Sequence, residues 1–313
     1  MLYDLKILKK ALEYFGGIKI PLRIYIILIS FIAFLPIYSA NKYALLIGIS
    51  EYPQHPQNSE LSWKSIHGGN DVDLLNKTLK QQGFKVESLK DKQATAKNVR
   101  QTLKNVLSKV NKGDLVYFHF SGHGQAYEDL SGDEDDGWDE AIVPYDAYIK
   151  YSDSYYKGDN HILDDELEGY FNDIRKKIGQ DGFLYVVLDA CHMGGASRGD
   201  ETEEDEIFIR GTDNGFSITG KKFIPKIDRR GNMMVMPLKN SGNICILEAC
   251  RAYQTNSEIS SNEQYYGPLS YYINKCLQTT PLSSNSDWIE TVRSLMQKDK
   301  RLIKQNMVVE KSF

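Results

Sequence analysis

The chain has 313 residues, of which 41% are hydrophobic and 26% charged, and its formal net charge is -4. That composition excludes a fully disordered chain and a scaffold built on disulfides, and it lacks the basic excess that DNA or RNA binding through phosphates would need. The length suits one large domain or two modest ones with ample core.

The amino end differs from the rest. Ile24 to Ala40 carries no charge, and Lys9, Lys10, Lys19 and Arg23 precede it. A basic flank, an apolar run and the small residues Ser39 and Ala40 read as a secretory signal, cleaved to leave a chain starting near Asn41. The run also reaches the short edge of a membrane span, so an uncleaved anchor and a buried structural segment are the alternatives. Either export reading places the remainder in the periplasm, at the envelope or outside the cell. Residues 1–40 are therefore set apart as signal or anchor, and 41–313 as one globular domain.

From Tyr43 to Ile49 a short apolar run reads as a buried central strand. Asn70 or Asp71 can cap a helix whose apolar face holds Val72, Leu75 and Leu79, and Gly83 ends it before a second strand opens at Phe84. Thr95 is a cap for a helix carrying Val99, Leu103, Val106, Leu107 and Val110 at helical spacing. Leu115–Phe120 is a third strand, and Ala141–Val143 a short one stopped by Pro144. Asp164 can cap a helix through Leu167, Tyr170, Phe171 and Ile174, ended by Gly182, before the buried strand Phe183–Leu188. Ala196–Val235 is rich in charge and glycine and reads as an insertion or a long mobile segment. Ile244–Leu247 is a fifth main strand, and Leu269–Leu277 and Trp288–Met296 read as helices. Alternating strands and helices predict an α/β fold, a mainly parallel sheet with helices on its faces.

In such sheets functional residues gather beyond the carboxyl ends of strands. The third strand runs into SGHG at 121–124, and the fourth into DACHMGG at 189–195. If these strands are neighbours, His123 and Cys191 meet at one sheet edge. A cysteine beside a histidine supplies a thiolate nucleophile and a base that later protonates a leaving amine, and backbone N–H groups near the thiol can stabilise an oxyanion. Taken singly, Cys191 reads as a core thiol and His123 as a loop histidine; the two strand-end motifs together favour the catalytic reading. His119 lies on the strand and is expected to pack or bond under a helix. The four cysteines, Cys191, Cys245, Cys250 and Cys276, have neither zinc-site spacing nor the density of a disulfide framework. Neither GxGxxG after the first strand nor GxxxxGK[ST] occurs, which argues against a dinucleotide or P-loop enzyme.

At these residues the chain resembles the caspase-like cysteine peptidases of family C14, nearest to the metacaspases and their bacterial relatives. The matching pieces are YALLIGIS at 43–50, NDVDLL at 70–75, DLVYFHFSGHG at 114–124, DGWDEAIVPYD at 136–146, LDDEL at 163–167, VVLDACHMGG at 186–195, ILEACRAYQTNSE at 246–258 and GPLSYY at 267–272. Met193 stands where the family pattern has serine, and Gly68 where some relatives have cysteine near the pocket. The resemblance implies a three-layer caspase-like fold, with 41–195 as its large-subunit-like part, 196–240 an insertion and 241–313 its small-subunit-like part. It further implies a cysteine endopeptidase with Cys191 as nucleophile and His123 as acid/base, cutting after Arg or Lys held by Asp71 and Asp189. The alternative is an inactive caspase-like interaction module, and an amidase or acyltransferase is disfavoured by the acidic pair. No cofactor is needed for the chemistry. Calcium is a possible activator, with Asp139, Asp164, Asp165 and Asp200 as positional ligands. The partners implied are protein substrates, with membrane attachment only through residues 24–40. Self-cutting within 196–235 is also an expectation, with Arg198, Arg210, Lys221, Lys222, Lys226, Arg229 and Arg230 as candidate points.

Overall fold

A computed structural model of the chain describes residues 40–55, 59–191, 207–225 and 235–313. The apolar run before Ala40, the residues His192 to Gly195 and Asp200 lie outside the described residues. No helix among the described residues is long and apolar enough to cross a membrane.

Six strands form the central sheet, in the order β11-β8-β7-β3-β1-β2. These are β1 (Lys42–Gly48), β2 (Lys85–Lys90), β3 (Leu115–Ser121), β7 (Phe183–Asp189), β8 (Asn243–Glu248) and β11 (Val308–Lys311). All neighbours pair in parallel except β11, which runs antiparallel to β8. The expected side-by-side arrangement of 115–120 and 183–188 is observed, and their register pairs Ser121 with Asp189.

Alternation along the strands explains the three layers, because successive side chains enter opposite faces. Leu45, Ile47, Val116, Phe118, Leu184 and Val186 pack on one face with α2 (Ala96–Lys109) and α3 (Asp164–Ile178). Leu46, Tyr117, Tyr185 and Val187 pack on the other with α1 (Gly68–Gln81), α4 (Pro268–Leu277) and α5 (Trp288–Lys298). His119 and Ser121 share this second face by the same alternation. His119 bonds there, its Nε2 3.0 Å from Ser270 Oγ in α4 and its Nδ1 3.3 Å from the Tyr117 hydroxyl. A second sheet of β4 (Gly124–Glu128), β5 (Trp138–Ile142) and β6 (Ile162–Leu163) is antiparallel, and β9 (Ile259–Ser261) pairs with β10 (Gln264–Tyr266).

Several local expectations change. Thr95 does cap α2, accepting from the Asn98 N–H. Helix α1 instead starts at Gly68 with His67 before it, so Asp71 sits within the first turn and its carboxylate is used elsewhere. At α3 the capping position falls to Leu163, because β6 pairs with β5 up to that residue and runs straight into the helix. Gly179, at φ 64°, ends α3 in place of Gly182. Residues 207–225 are built into the body of the protein rather than forming a detached segment, and their contacts define the site below.

Candidate active site

Strand β1 leads to β2 at one edge and the chain then returns to β3 on the other side of β1. This reversal opens a crevice at the carboxyl ends of β1 and β3, the place where ligands bind in open α/β sheets. Helix α1 begins here. Its Gly68 lies so close to the backbone oxygens of Ser121 and Ile49 that a Cβ would collide with them, which is why a glycine stands at this position. That close approach brings Asp71 over the end of β3, while Asp189 ends β7 next to Ser121.

Both carboxylates are fully buried and both face one guanidinium, that of Arg210. Arg210 Nη2 is 2.8 Å from Asp71 Oδ2, and Nη1 is 3.6 Å from Asp189 Oδ1. A third acid, Glu258, accepts from Nη2 at 2.7 Å and from Nε at 3.0 Å. Arg210 Nη1 also donates to Ser121 Oγ at 2.5 Å and to the Asp189 carbonyl at 3.2 Å. The acids are themselves held. Ser121 Oγ and the Gly267 N–H donate to Asp71; Asn256 Nδ2, Ser270 N and Ser270 Oγ donate to Asp189; and the His67 N–H donates to Glu258, whose other oxygen lies 2.6 Å from His67 Nδ1. Gly267 forms a wall of the pocket, since a Cβ there would strike Asp189 and the guanidinium.

One guanidinium cannot neutralise three buried carboxylates. Burial pushes the Asp71 carboxyl up to about 7 even though Arg210 and the Ser121 hydroxyl pull it down. Burial also raises Glu258, but Arg210 and the His67 bonds outweigh it and leave that carboxyl below its ordinary value. The pocket is thus built for a planar cation with several donors.

The main chain of Arg210 is held as an added strand. Its N–H donates to Asn256 O at 3.0 Å, Glu258 N donates to Phe208 O at 2.9 Å, and Ile209 bridges Ser257 antiparallel. The Arg210 carbonyl oxygen then accepts from Cys191 N at 2.9 Å and from Gly124 N at 3.3 Å. Two backbone donors converging on one carbonyl have the form of an oxyanion hole, and they come from the two strand-end motifs.

His123, directly before Gly124, is buried between Tyr52 and Trp63, its ring stacked on Trp63 at 4.8 Å. Its N–H donates to the Tyr52 hydroxyl, and Nε2 lies 2.8 Å from Lys64 O. A carbonyl can only accept, so Nε2 carries the proton and Nδ1 is the basic nitrogen. Nδ1 is buried with no hydrogen-bond partner among the described residues. Burial lowers the ring to about 4, so it is neutral at neutral pH. Cys191 Sγ donates to Gln254 O at 2.7 Å and packs beside Cys250, whose thiol is pushed upward by its hydrogen bond with the Cys191 sulfur and by burial.

The candidate calcium ligands lie apart from this pocket. Asp139 groups with Asp129 and Asp133, their carboxylate oxygens within 4.8 Å of one another, while Asp164 and Asp165 belong to the surrounding acidic shell. Burial and neighbouring acids raise Asp139 to about 6 and Asp164 to about 7. Asp129 already accepts from Ser131, Gly132 and Glu134.

Glu258, Ser121, Asn256 and Ser270 are pocket residues that the sequence reading did not assign. For Glu258 the signal was the QTNSE run, which was matched as a motif without a role for its acid.

Comparison with known proteins gives the family and the fold. The family model for the caspase domain, Peptidase_C14, matches residues 41–312. Metacaspase-7 of Arabidopsis thaliana is 33% identical over 164 residues, covering 49% of this chain and 35% of the relative. Metacaspase-1 of Schizosaccharomyces pombe is 27% identical over 263 residues, covering 72% and 59%. The chain thus spans about a third to three fifths of the length of these relatives. A solved structure from Geobacter sulfurreducens shares the fold at TM-score 0.58 and 18% identity, covering 87% of this chain and 93% of its own.

Proposed function

The chain belongs to the caspase-domain peptidase family, and from that premise we propose that it is a cysteine endopeptidase that cuts after arginine or lysine. The observation that carries this reading is the seating of Arg210. Its side chain fills an acidic pocket while its carbonyl receives the N–H groups of Cys191 and Gly124, which is how a P1 residue presents a scissile bond.

In the reaction His123 Nδ1 takes the proton of the Cys191 thiol, and the thiolate attacks the P1 carbonyl carbon. Cys191 N–H and Gly124 N–H hold the oxyanion. The imidazolium then protonates the leaving amine, and a water activated by the neutral ring hydrolyses the thioester. The Lys64 carbonyl holds the ring with Nε2–H outward, so the lone pair of Nδ1 is the one available for the transfer. For this the sulfur must leave Gln254 O, a rotation about Cα–Cβ. Arginine fits the pocket better than lysine because Glu258 meets Nε as well as Nη2.

The all-oxygen group of Asp129, Asp133 and Asp139, with Asp164 and Asp165 nearby, is chemically suited to calcium. The ion would supply charge compensation to the crowded acids and takes no part in bond breaking.

The test is a panel of fluorogenic peptides differing only at P1, with and without calcium. Arg should exceed Lys, and Asp or uncharged P1 should give background. Preferential cleavage after Asp, or cleavage retained by Cys191→Ala, would overturn the assignment.

A further inference from the structure

We propose that Cys250 is a resolving thiol: a hydroperoxide oxidises Cys191, and Cys250 captures the oxidised sulfur in a disulfide that silences the site and keeps Cys191 recoverable. The consequence for activity rests on the peptidase reading above; the bond itself is read without it.

Both residues stand just past the ends of neighbouring parallel strands, Cys191 after β7 and Cys250 after β8. The register pairs Leu188 with Glu248, and Ala249 N donates to Leu188 O at 3.1 Å at the end of the ladder. Carried on, that register sets Cys250 beside Ala190. Strand spacing and rise then put the Cα atoms of Cys191 and Cys250 about 6 Å apart, within the span of a disulfide. Neither residue is in strand conformation, so their side chains need not alternate. Gln254 O draws both sulfurs to one point, Cys191 Sγ at 2.7 Å and Cys250 Sγ at 3.5 Å, and the two thiols bond each other. That acceptor is fixed. Gln254 N donates to Arg251 O at 2.8 Å, and Gln254 Oε1 accepts from Arg251 N at 3.2 Å and Asn306 N at 3.0 Å. A small cavity of about 10 Å³, room for one water-sized molecule, is lined by both cysteines and admits the oxygen of a hydroperoxide to the pair. Cys245 and Cys276 lie elsewhere, in the core under α4 and α5, where Cys276 Sγ donates to Trp288 O at 3.7 Å.

The order of reaction follows from the two environments. The hydrogen bond with Cys191 and burial push the Cys250 thiol up, so it stays protonated while Cys191 reacts. His123 Nδ1 takes the Cys191 proton and the thiolate attacks one oxygen of the hydroperoxide. The O–O bond breaks, leaving a sulfenic acid on Cys191, and the departing oxygen takes the proton back from His123. The Cys250 sulfur then displaces the sulfenic hydroxyl. The S–S bond forms, the S–O bond breaks, and the Cys250 proton leaves with the hydroxyl as water. Two thiols are oxidised by two electrons, and one hydroperoxide is reduced. Because Cys250 is already in contact, this capture outruns further oxidation to the sulfinic acid, which thiols do not reverse.

The test treats the full chain with excess hydrogen peroxide, then divides it between dithiothreitol and buffer. In wild type, cleavage of an Arg-P1 peptide should fall to background and return to most of its starting rate with dithiothreitol. Before reduction, peptide mapping should find Cys191 joined to Cys250, with Cys245 and Cys276 still open to alkylation in the denatured chain. Cys250→Ser, normalised to its own starting rate, should lose activity that dithiothreitol does not restore, and its Cys191 peptide should gain two or more oxygen atoms. If that variant fails to fold, Cys250→Ala should behave alike, and the wild-type map stands by itself. An active wild type whose Cys191 goes to sulfinic acid with no link to Cys250 overturns this inference alone, as does a Cys250→Ser protein that recovers as fully as wild type. A protein that forms the link but cuts no basic peptide when reduced supports the resolving role of Cys250 and overturns the peptidase reading.

Discussion

Glu258→Gln tests the pocket at the acid no motif pointed to. The substitution keeps shape and one acceptor oxygen but removes a charge that takes two guanidinium hydrogens, at 2.7 and 3.0 Å, inside a water-excluded site. Hydrogen bonds to charged groups contribute about 1.5–3 kcal/mol, so losing the charge should cost an Arg substrate about 2–3 kcal/mol, a fall in kcat/KM of roughly 30- to 150-fold. A Lys substrate has no Nε and reaches the pocket as a point charge that Asp71 and Asp189 still attract, so its loss should stay below about tenfold. The assay is steady-state kcat/KM on paired peptides that differ only in Arg or Lys at P1, measured once progress curves are linear. The Arg-to-Lys ratio should drop. An unchanged ratio would mean that Glu258 braces the fold and does not read the substrate, and the three-acid account of specificity would fail.

Gly267→Ala should abolish cleavage after Arg and also lower the thermal stability, because the added methyl collides with the firmly held Asp189 carboxylate as well as taking the guanidinium's place; full activity on Arg peptides would refute the wall assignment. His161 is buried and bonded to Gln125 and the Tyr156 hydroxyl, and burial lowers it to about 3. Its folded value lies below the unfolded one of about 6.5, so the unfolded chain takes up the proton first and this contribution is lost as pH falls from about 6.5 toward 3. The gap in urea midpoint between wild type and His161→Asn should therefore narrow from pH 7 to pH 5, and a constant gap would contradict the buried neutral ring. For the charge-free run at 24–40 we propose export, so protein from its native cell should either begin near Asn41 or be found full length in membranes; intact chain in cytoplasm alone would refute it.

The parallel sheet was legible because its inner strands are buried on both faces. Leu115–Phe120 and Phe183–Leu188 are nearly uninterrupted apolar runs, and runs of that kind need no partner to be recognised. Their ends were legible too, since SGHG and DACHMGG each follow a strand without a break. Strand β4 was not, because GQAYE has a weak apolar pattern and gains its order from pairing with β5 and from Phe216. The helix starts at 68 and 164 were placed late for a related reason. Asp71 and Asp164 have the residue type of a cap, but the pocket claims Asp71, and β6 fixes where α3 can begin. Arg210 was readable only as one of several basic residues in a charged stretch. What buries it is the convergence of residues 71, 189 and 258, and such distant partners leave no local periodicity.

The same electrostatics links specificity to self-occupancy. The side chains of the three pocket acids are fully buried, and burial without a cation costs several kcal/mol per ion unless protons are taken up. Protonation is the cheaper escape only if no cation is at hand; the rise of Asp71 toward neutrality even beside Arg210 shows how close the pocket is to that limit. A site acidic enough to extract an arginine side chain from water, with its mouth lined by backbone donors, will take the first extended basic segment that can reach it. In this chain Arg210 fills the pocket, its guanidinium on Asp71 and its main chain paired with Asn256. On the proposed basic specificity, weakening the acids would empty the resting pocket and blunt the discrimination against neutral P1 residues in the same step, so the two properties could not be tuned independently at Asp71, Asp189 or Glu258. They can be separated at position 210, which contributes to occupancy and not to the pocket's own charge.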